Sequence, residues 1–274
     1  LVDRITALND VPREPLVPRR LGKNMCVPFG KILRGKVVPN TVTKTLHTDK
    51  VYEPDLNSFT IEPFPYYSPL KSQIETIKSF DRPVILVDDL VHTANRLQVL
   101  VPQLREDGIP IKKVVVGVLS GYGRDLMQCL KVPVESIYSM PNLRQWFVES
   151  TLYPFIGGDT VRREEMKVAG LQPSINMILP YATPRLSGCS REALVEFSAC
   201  CIENSRDLFQ VLEAEYRKMY AKNLTLSRLS EAVILPLCPD KGSCMEYDEN
   251  LAASVYLEND LETLWRMKEF MIKG

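Results

Sequence analysis

The sequence has no uninterrupted apolar run approaching the roughly 20 residues that a membrane-spanning helix requires, so it does not read as an integral membrane protein. It has no excess charge of either sign. Its 34 Lys and Arg offset 34 Asp and Glu, so no global field points to a nucleic acid or an anionic surface, and a nucleic-acid partner is not expected. It has no CxxC. The seven cysteines, Cys26, Cys129, Cys189, Cys200, Cys201, Cys238 and Cys244, are odd in number and include an adjacent pair that cannot staple distant segments. They read as reduced thiols of a cytoplasmic protein. Cys238 and Cys244 have no His or Cys companions at metal-site spacing, which argues against structural zinc. There is no internal repeat, no low-complexity tract and no charged-then-apolar leader behind Leu1, and the chain reads as a part of something longer. What is present is 274 residues of which 45% are apolar: one large domain, or an ordinary domain with a smaller appendage.

Residues 1–22, with Pro12, Pro15, Pro18, Arg19 and Arg20, predict an extended lead-in. Short β-favouring runs follow at 24–27, 37–38, 41–46 and 59–61, and Leu70, Ile74 and Ile77 predict a helix over 70–80 that Pro83 closes. The run 83–87, the acidic pair Asp88 and Asp89, and the periodic Leu97, Leu100, Val101 and Leu104 predict strand, loop and helix, with Pro102 kinking or shortening the helix. A second run, 114–119, is apolar on both faces, as strands buried in parallel sheets are. The turn 120–123, a short helix carrying Leu126, Met127 and Leu130, and a strand near 136–139 complete a repeated β-loop-α pattern. The fold class is therefore α/β, with a doubly wound, mainly parallel sheet. Beyond about residue 185, Ser190 is a candidate N-cap for a long helix striped by Leu194, Phe197, Cys201, Leu208, Val211 and Met219. A second stripe runs through Leu251, Val255, Leu261, Leu264 and Met271. The expected division is 1–22 as lead-in, 23–185 as the α/β domain and 186–274 as a helical subdomain.

In an open parallel sheet, ligands bind outside the carboxyl ends of the strands, which directs attention to the segment from Asp88 to Arg96. Two carboxylates at a strand end can accept hydrogen bonds from vicinal hydroxyls, directly or through hydrated Mg²⁺. The following His92, Thr93, Ala94, Asn95 and Arg96 enter a helix, where small side chains and free amide N–H groups suit a phosphate. The plainest structural alternative is that the acidic pair simply caps the next helix.

The stretch VILVDDLVHTANR, residues 84–96, resembles the phosphoribosyl-diphosphate signature of the type I phosphoribosyltransferases, departing from it at His92. The resemblance covers about the middle third of the chain. It implies that Asp88 and Asp89 hold the ribose hydroxyls and Mg²⁺ at the catalytic centre, and that Thr93, Ala94, Asn95 and Arg96, with His92 before them, cradle the 5-phosphate. It also implies a diphosphate loop, for which PFGKILRGK, residues 28–36, is the candidate, with Lys31, Arg34 and Lys36 supplying charge. A mobile catalytic loop would correspond to residues 44–50, with His47 as a candidate acid or base.

Gly121, Tyr122 and Gly123 should lie beside the same crevice, and Tyr122, Tyr138 or Trp146 could stack on a base. FIGGD, residues 155–159, reads as a turn. The resulting expectation is Mg²⁺-dependent transfer of phosphoribose to or from a nitrogenous base, acting on a small sugar phosphate or nucleotide, in a homo-oligomer by analogy. Two alternatives stand beside it. One is a non-catalytic sugar-phosphate or nucleotide-binding regulatory module; the other is a related ribosyl enzyme within a longer protein.

Overall fold

Apolar runs that are buried on both faces form the middle of a parallel sheet. The computed structural model describes residues 1–9, 21–162, 172–184, 188–229, 234–236 and 247–273. Pro12, Pro15, Pro18, Arg19, Arg20, Cys238 and Cys244 lie outside the described residues, as does the side chain of Met271. The described part divides into two units: Leu1–Asp49 with Ile61–Arg144, and Lys50–Thr60 with Gln145–Gly274.

In the first unit the elements are α1 (Val2–Leu8), β1 (Met25–Pro28), β2 (Val42–Thr43), α2 (Leu70–Lys78), β5 (Val84–Val91), α3 (Asn95–Glu106), β6 (Ile111–Ser120), α4 (Gly121–Cys129) and β7 (Val134–Met140). Between β2 and α2 the chain forms β3 (Thr48–Tyr52) and β4 (Phe59–Pro63), which straddle the boundary between units. The first sheet runs β2-β1-β5-β6-β7, and every adjacent pair is parallel.

The period-two alternation of each strand sends side chains to opposite faces. Val84, Leu86, Val114 and Val116 pack with Ile74 and Ile77 of α2, Leu97, Leu100, Val101 and Leu104 of α3, and Met127 of α4. Ile85, Val87, Val115 and Cys26 face the other way, against Ile5 of α1, Leu33 and Val38. The unit is a Rossmann-like α/β arrangement covered on both faces.

Several local expectations change. Val2–Leu8 is a helix rather than extended lead-in, held by the fully buried Ile5. Residues 37 and 38 form no strand; Val38 instead plugs the α1 face of the sheet. Pro102 does not shorten α3, which runs through to Glu106 because its buried stripe, Leu97 to Leu104, spans the proline on both sides.

The second unit is not purely helical. Its sheet runs β10 (Ile234–Pro236), β9 (Gln172–Ile175), β8 (Asp159–Val161), β3, β4, with β8 antiparallel to β9 and parallel to β3. The expected change of character at residue 186 falls inside this unit, whose boundary lies at Arg144 and Gln145. The helix predicted from Ser190 is α5 (Arg191–Tyr220), and the Ser190 hydroxyl accepts the Ala193 N–H at 3.2 Å. Its buried stripe matches the expected one only at Cys201, with Leu194 packed partly buried against the same core. Val195, Ser198, Ala199, Ile202, Ser205 and Phe209 also face inward, while Phe197, Leu208, Val211 and Met219 are exposed. Small side chains on the inner face admit α7 (Ala253–Lys273), whose Ala253, Leu257, Leu261 and Leu264 join the same core. Between them lies the four-residue α6 (Leu226–Leu229). Among the described residues, no helix is long and apolar enough to cross a membrane.

Candidate functional site

The strand order of the first sheet reverses direction between β1 and β5. From β1 the chain moves outward to β2; from β5 it moves the opposite way, to β6 and β7. Such a switch point opens a crevice at the carboxyl ends of the two strands, because their outgoing loops diverge. The two loops singled out from sequence, residues 28–36 and 88–96, leave from these two ends.

They also touch. Phe29 donates its N–H to Val87 O at 3.0 Å, and the Arg96 guanidinium lies over the Phe29 ring at 5.3 Å. The segment after Phe29 is a run of turns rather than a strand, and Lys31, Arg34 and Lys36 are all exposed on it. Gly30 (φ +55) and Gly35 (φ +73) take left-handed conformations that suit glycine.

The acidic pair lies within β5, not in a loop after it. Asp88, Leu90 and Val91 remain in register with Val116, Val118 and Leu119 of β6. Asp89 and Gly117 between them are skipped by the register, and the backbones approach closely there: a Cβ on Gly117 would come within 2.7 Å of Asp89 O. The side-chain alternation of the strand is interrupted here, since Val91 packs on the same face as Val84 and Leu86, and the two carboxyl groups stay close enough to interact. Asp88 is 6% exposed and pairs with Arg96, Nη1 to Oδ1 at 3.1 Å. Burial pushes its carboxyl up to about 7, against the opposing pull of Arg96 and with a further push from Asp89. Asp89 is exposed, and its carboxylate accepts the N–H of Leu90 at 2.7 Å and interacts with the Asp88 carboxyl. Of the acidic pair, then, Asp88 is buried against Arg96 and Asp89 is exposed beside it.

Only residues 92–94 separate β5 from α3. Ala94 holds a left-handed conformation, φ 51, which turns the chain sharply into the helix. Thr93 is exposed, and its carbonyl accepts the Gln98 side-chain amide at 2.8 Å, while Asn95 is half-buried in the first helical position. His92 is anchored from the neighbouring strand: its Nδ1 is 2.8 Å from the Ser120 Oγ. Ser120 is fully buried and also accepts the Gly123 N–H at 2.9 Å, so one hydroxyl caps α4 and fixes His92.

Residues 120–123 are thus the cap and first turn of α4 rather than a separate loop. Gly123 permits this approach, since a Cβ there would meet Val91 O at 2.2 Å. At Gly121, a Cβ would meet Pro141 O at 2.6 Å. Tyr122 is exposed, with its ring edge-on to His92 at 5.9 Å. The rim beyond β5 and β6 therefore gathers Asp89, His92, Thr93, Arg96 and Tyr122.

His47 follows the edge strand, which continues past β2 through the Phe29–Leu46 bridge. Its backbone is clamped by Gln73, which accepts His47 N–H at 2.8 Å and donates to His47 O at 3.1 Å. Its ring stacks on Tyr67 at 3.7 Å. Burial lowers its pKa from the usual histidine value, and the Lys44 ammonium lowers it further. Gln73 and Tyr67 carry no role in the sequence reading, and Phe29 and Ser120 enter it only as members of the segments 28–36 and 120–123. Ser120 carries a readable signal, a serine immediately before a helix; the other three act through partners distant in the chain.

Tyr138 is exposed on β7. Trp146 and FIGGD belong to the second unit, where Phe155 is fully buried and Asp159 pairs with Lys50 at 3.5 Å. Among the described residues, no three His, Cys, Asp or Glu side chains gather as a metal site. Mg²⁺ binds through one or two carboxylates together with ligand oxygens and retained waters, and Asp89 is the exposed carboxylate of the acidic pair at this rim. Compared with protein-family models and with curated proteins, the chain matches none.

Proposed function

We propose that the first unit is a type I phosphoribosyltransferase-like domain that binds phosphoribosyl diphosphate, or a closely related sugar phosphate, at the carboxyl rim of β1 and β5. The single observation that carries this reading is the switch point: the loop after β1 and the signature after β5 flank the one place in this sheet where the winding reverses.

In this reading Asp89 accepts hydrogen bonds from the ribose hydroxyls, or holds Mg²⁺ with them. The amides and the Thr93 hydroxyl at the start of α3 receive the 5-phosphate, and Lys31, Arg34 and Lys36 attract the diphosphate. Bound Mg²⁺ would neutralise the diphosphate oxygens. In the transfer, the C1–O bond to diphosphate breaks with its electron pair leaving on oxygen. A base nitrogen then donates its lone pair to C1, and the nitrogen's proton passes to solvent or to His47. Asp88 has a positioning role: it fixes Arg96 at the end of β5.

A second reading is favoured by the Asp88–Arg96 pair, which leaves one open acid where the signature supplies two. The domain would then bind the sugar phosphate without transferring it. Calorimetry with phosphoribosyl diphosphate and Mg²⁺ tests the shared part, with heat expected from the unsubstituted protein and lost in Asp89→Asn. No binding by the unsubstituted protein removes both readings. Diphosphate release with a panel of purine, pyrimidine and pyridine bases separates them.

A further inference from the structure

Helix α5 ends at Ala221, which takes a left-handed conformation, φ 53, and donates its N–H to Arg217 O at 2.8 Å. The loop that follows is pinned. Leu224 and Leu226 are buried, and Leu226 and Ser227 donate their N–H groups to Leu251 O and Glu249 O, each at 3.0 Å. Between the helix end and these two segments lies a cleft of about 440 Å³, within the roughly 300–1,000 Å³ of small-molecule pockets. All of its walls belong to the second unit.

The charge of the cleft is one-sided, although the sequence as a whole is balanced. Arg217, Lys222 and Arg228 line it, and among the described residues no Asp or Glu does. Lys218 pairs with Glu215 at 3.8 Å, but none of these three cations forms an ion pair among the described residues. A cation in the last turn of a helix meets the negative end of the dipole, which accounts for Arg217. It does not account for Lys222, beyond the helix end, or for Arg228. The latter is oriented by Asn223 O, which accepts one Nη1 hydrogen at 2.6 Å, and its other N–H groups have no acceptor among the described residues.

The rest of the wall adds donors. Thr225 Oγ1 and Ser227 Oγ are 2.9 Å apart, so one hydroxyl proton is used between them and the other is left to donate. Asn250 is oriented by Asp248, whose Oδ1 accepts its backbone N–H at 2.9 Å and one side-chain N–H at 3.0 Å; the second N–H of that amide remains. Guanidinium, ammonium, hydroxyl and amide donors around one cleft, with no carboxylate among them, are the groups that recognise phosphoryl oxygens.

We propose that this cleft is a second ligand site, which takes a small phosphorylated molecule carrying two adjacent phosphoryl groups. Three cations exceed the charge of one phosphoryl group, about −1.5 to −2 near pH 7, and suit a pair of them. The proposal does not rest on what the carboxyl rim of the first unit binds.

The test is a titration of the full chain with inorganic diphosphate at about 0.15 M salt, followed by NMR at the backbone amides of Thr225, Ser227 and Asn250. These amides should shift saturably. Arg217→Gln combined with Lys222→Gln should weaken the response at least roughly tenfold, since charge-assisted hydrogen bonds are lost. Asp89→Asn, which removes the rim carboxylate, should leave the response unchanged, so failure at one site is distinguishable from failure at the other. Should the double variant lose its helical circular dichroism, Lys222→Gln alone serves and should weaken binding at least roughly threefold. No saturable shift at these amides, equal affinity in the charge-removed variant, or a response to single-stranded RNA but not to diphosphate would each overturn the proposal.

Discussion

Arg96 bridges Asp88 and Phe29: its Nη1 lies 3.1 Å from the Asp88 Oδ1 while its guanidinium covers the Phe29 ring at 5.3 Å. One cation thus ties the end of β5 to the end of β1, across the point where the sheet reverses its winding. The carboxylate it meets is buried, so the pair has consequences for stability as well as for ligand binding.

Asp88 makes folding pH-dependent. Its carboxyl is raised from 3.8 to about 7 in the folded chain, so between those values the folded state binds more protons at this position than the unfolded state. Stability contributed here is full below the unfolded value, falls as the pH rises through the window, and levels off above about 7. Asp88→Asn, neutral at every pH, should remove that slope. The melting temperature of the unsubstituted protein minus that of the variant should drop between about pH 5 and about pH 8, by an amount reflecting a few kcal/mol at most.

Arg96→Leu should destabilise the protein more at high pH than at low. Above neutrality it leaves a buried carboxylate without its cation, at a cost of about 1–3 kcal/mol, reduced from the fully buried case because the arginine is partly solvated. At about pH 5, where Asp88 is protonated, the cost should shrink to the lost packing on Phe29. Urea unfolding at the two pH values measures the difference.

Ser120→Ala removes both the cap of α4 and the anchor of His92. A lost serine cap costs about 1–2 kcal/mol. In the proposed site it should also weaken sugar-phosphate binding by freeing the His92 ring, while Ser120→Thr should retain much of both functions. Thermal melts and calorimetry on the same two variants separate the stability effect from the binding effect.

His47 should titrate below its usual value of 6.5 when followed by NMR, because burial is the larger cause and Lys44 the smaller. Tyr67→Ala, which uncovers the stacked ring, should raise the midpoint more than Lys44→Gln does. Because the folded value is depressed, the stability associated with this ring is present above 6.5 and is lost as the pH falls through the folded value.

The layered α/β architecture was readable because its strands are continuous apolar runs and its helices carry regular stripes, signals set by burial on both faces. Leu97, Leu100, Val101 and Leu104 outweighed Pro102 for the same reason: packing energy exceeds the loss of one helical hydrogen bond. The α5 stripe misled because large apolar residues such as Leu208 and Val211 are more conspicuous than Ser198, Ala199 and Ser205, although close helix approach requires the small ones inside. At the candidate site, sequence order located the acidic pair but not its orientation. Whether Asp88 points in or out depends on where β5 stops, and that is set by the ladder to β6 and by Gly117 rather than by local sequence. Nothing near Asp88 in the chain announces Arg96 as its partner in place of a ligand, and nothing near His47 announces Gln73.

The detour of residues 50–60 into the second unit bears on how this protein is born. Lys50 and Asp159, which meet across that unit, are separated by 109 residues. A ribosome adding on the order of 10 residues per second therefore releases the early hairpin about ten seconds before its partner exists. Meanwhile the parallel sheet can assemble around an unfinished flap. Truncating the gene at residue 145 would leave that flap permanently unmatched, and the reverse fragment would lack it, so neither half is a clean unit for expression.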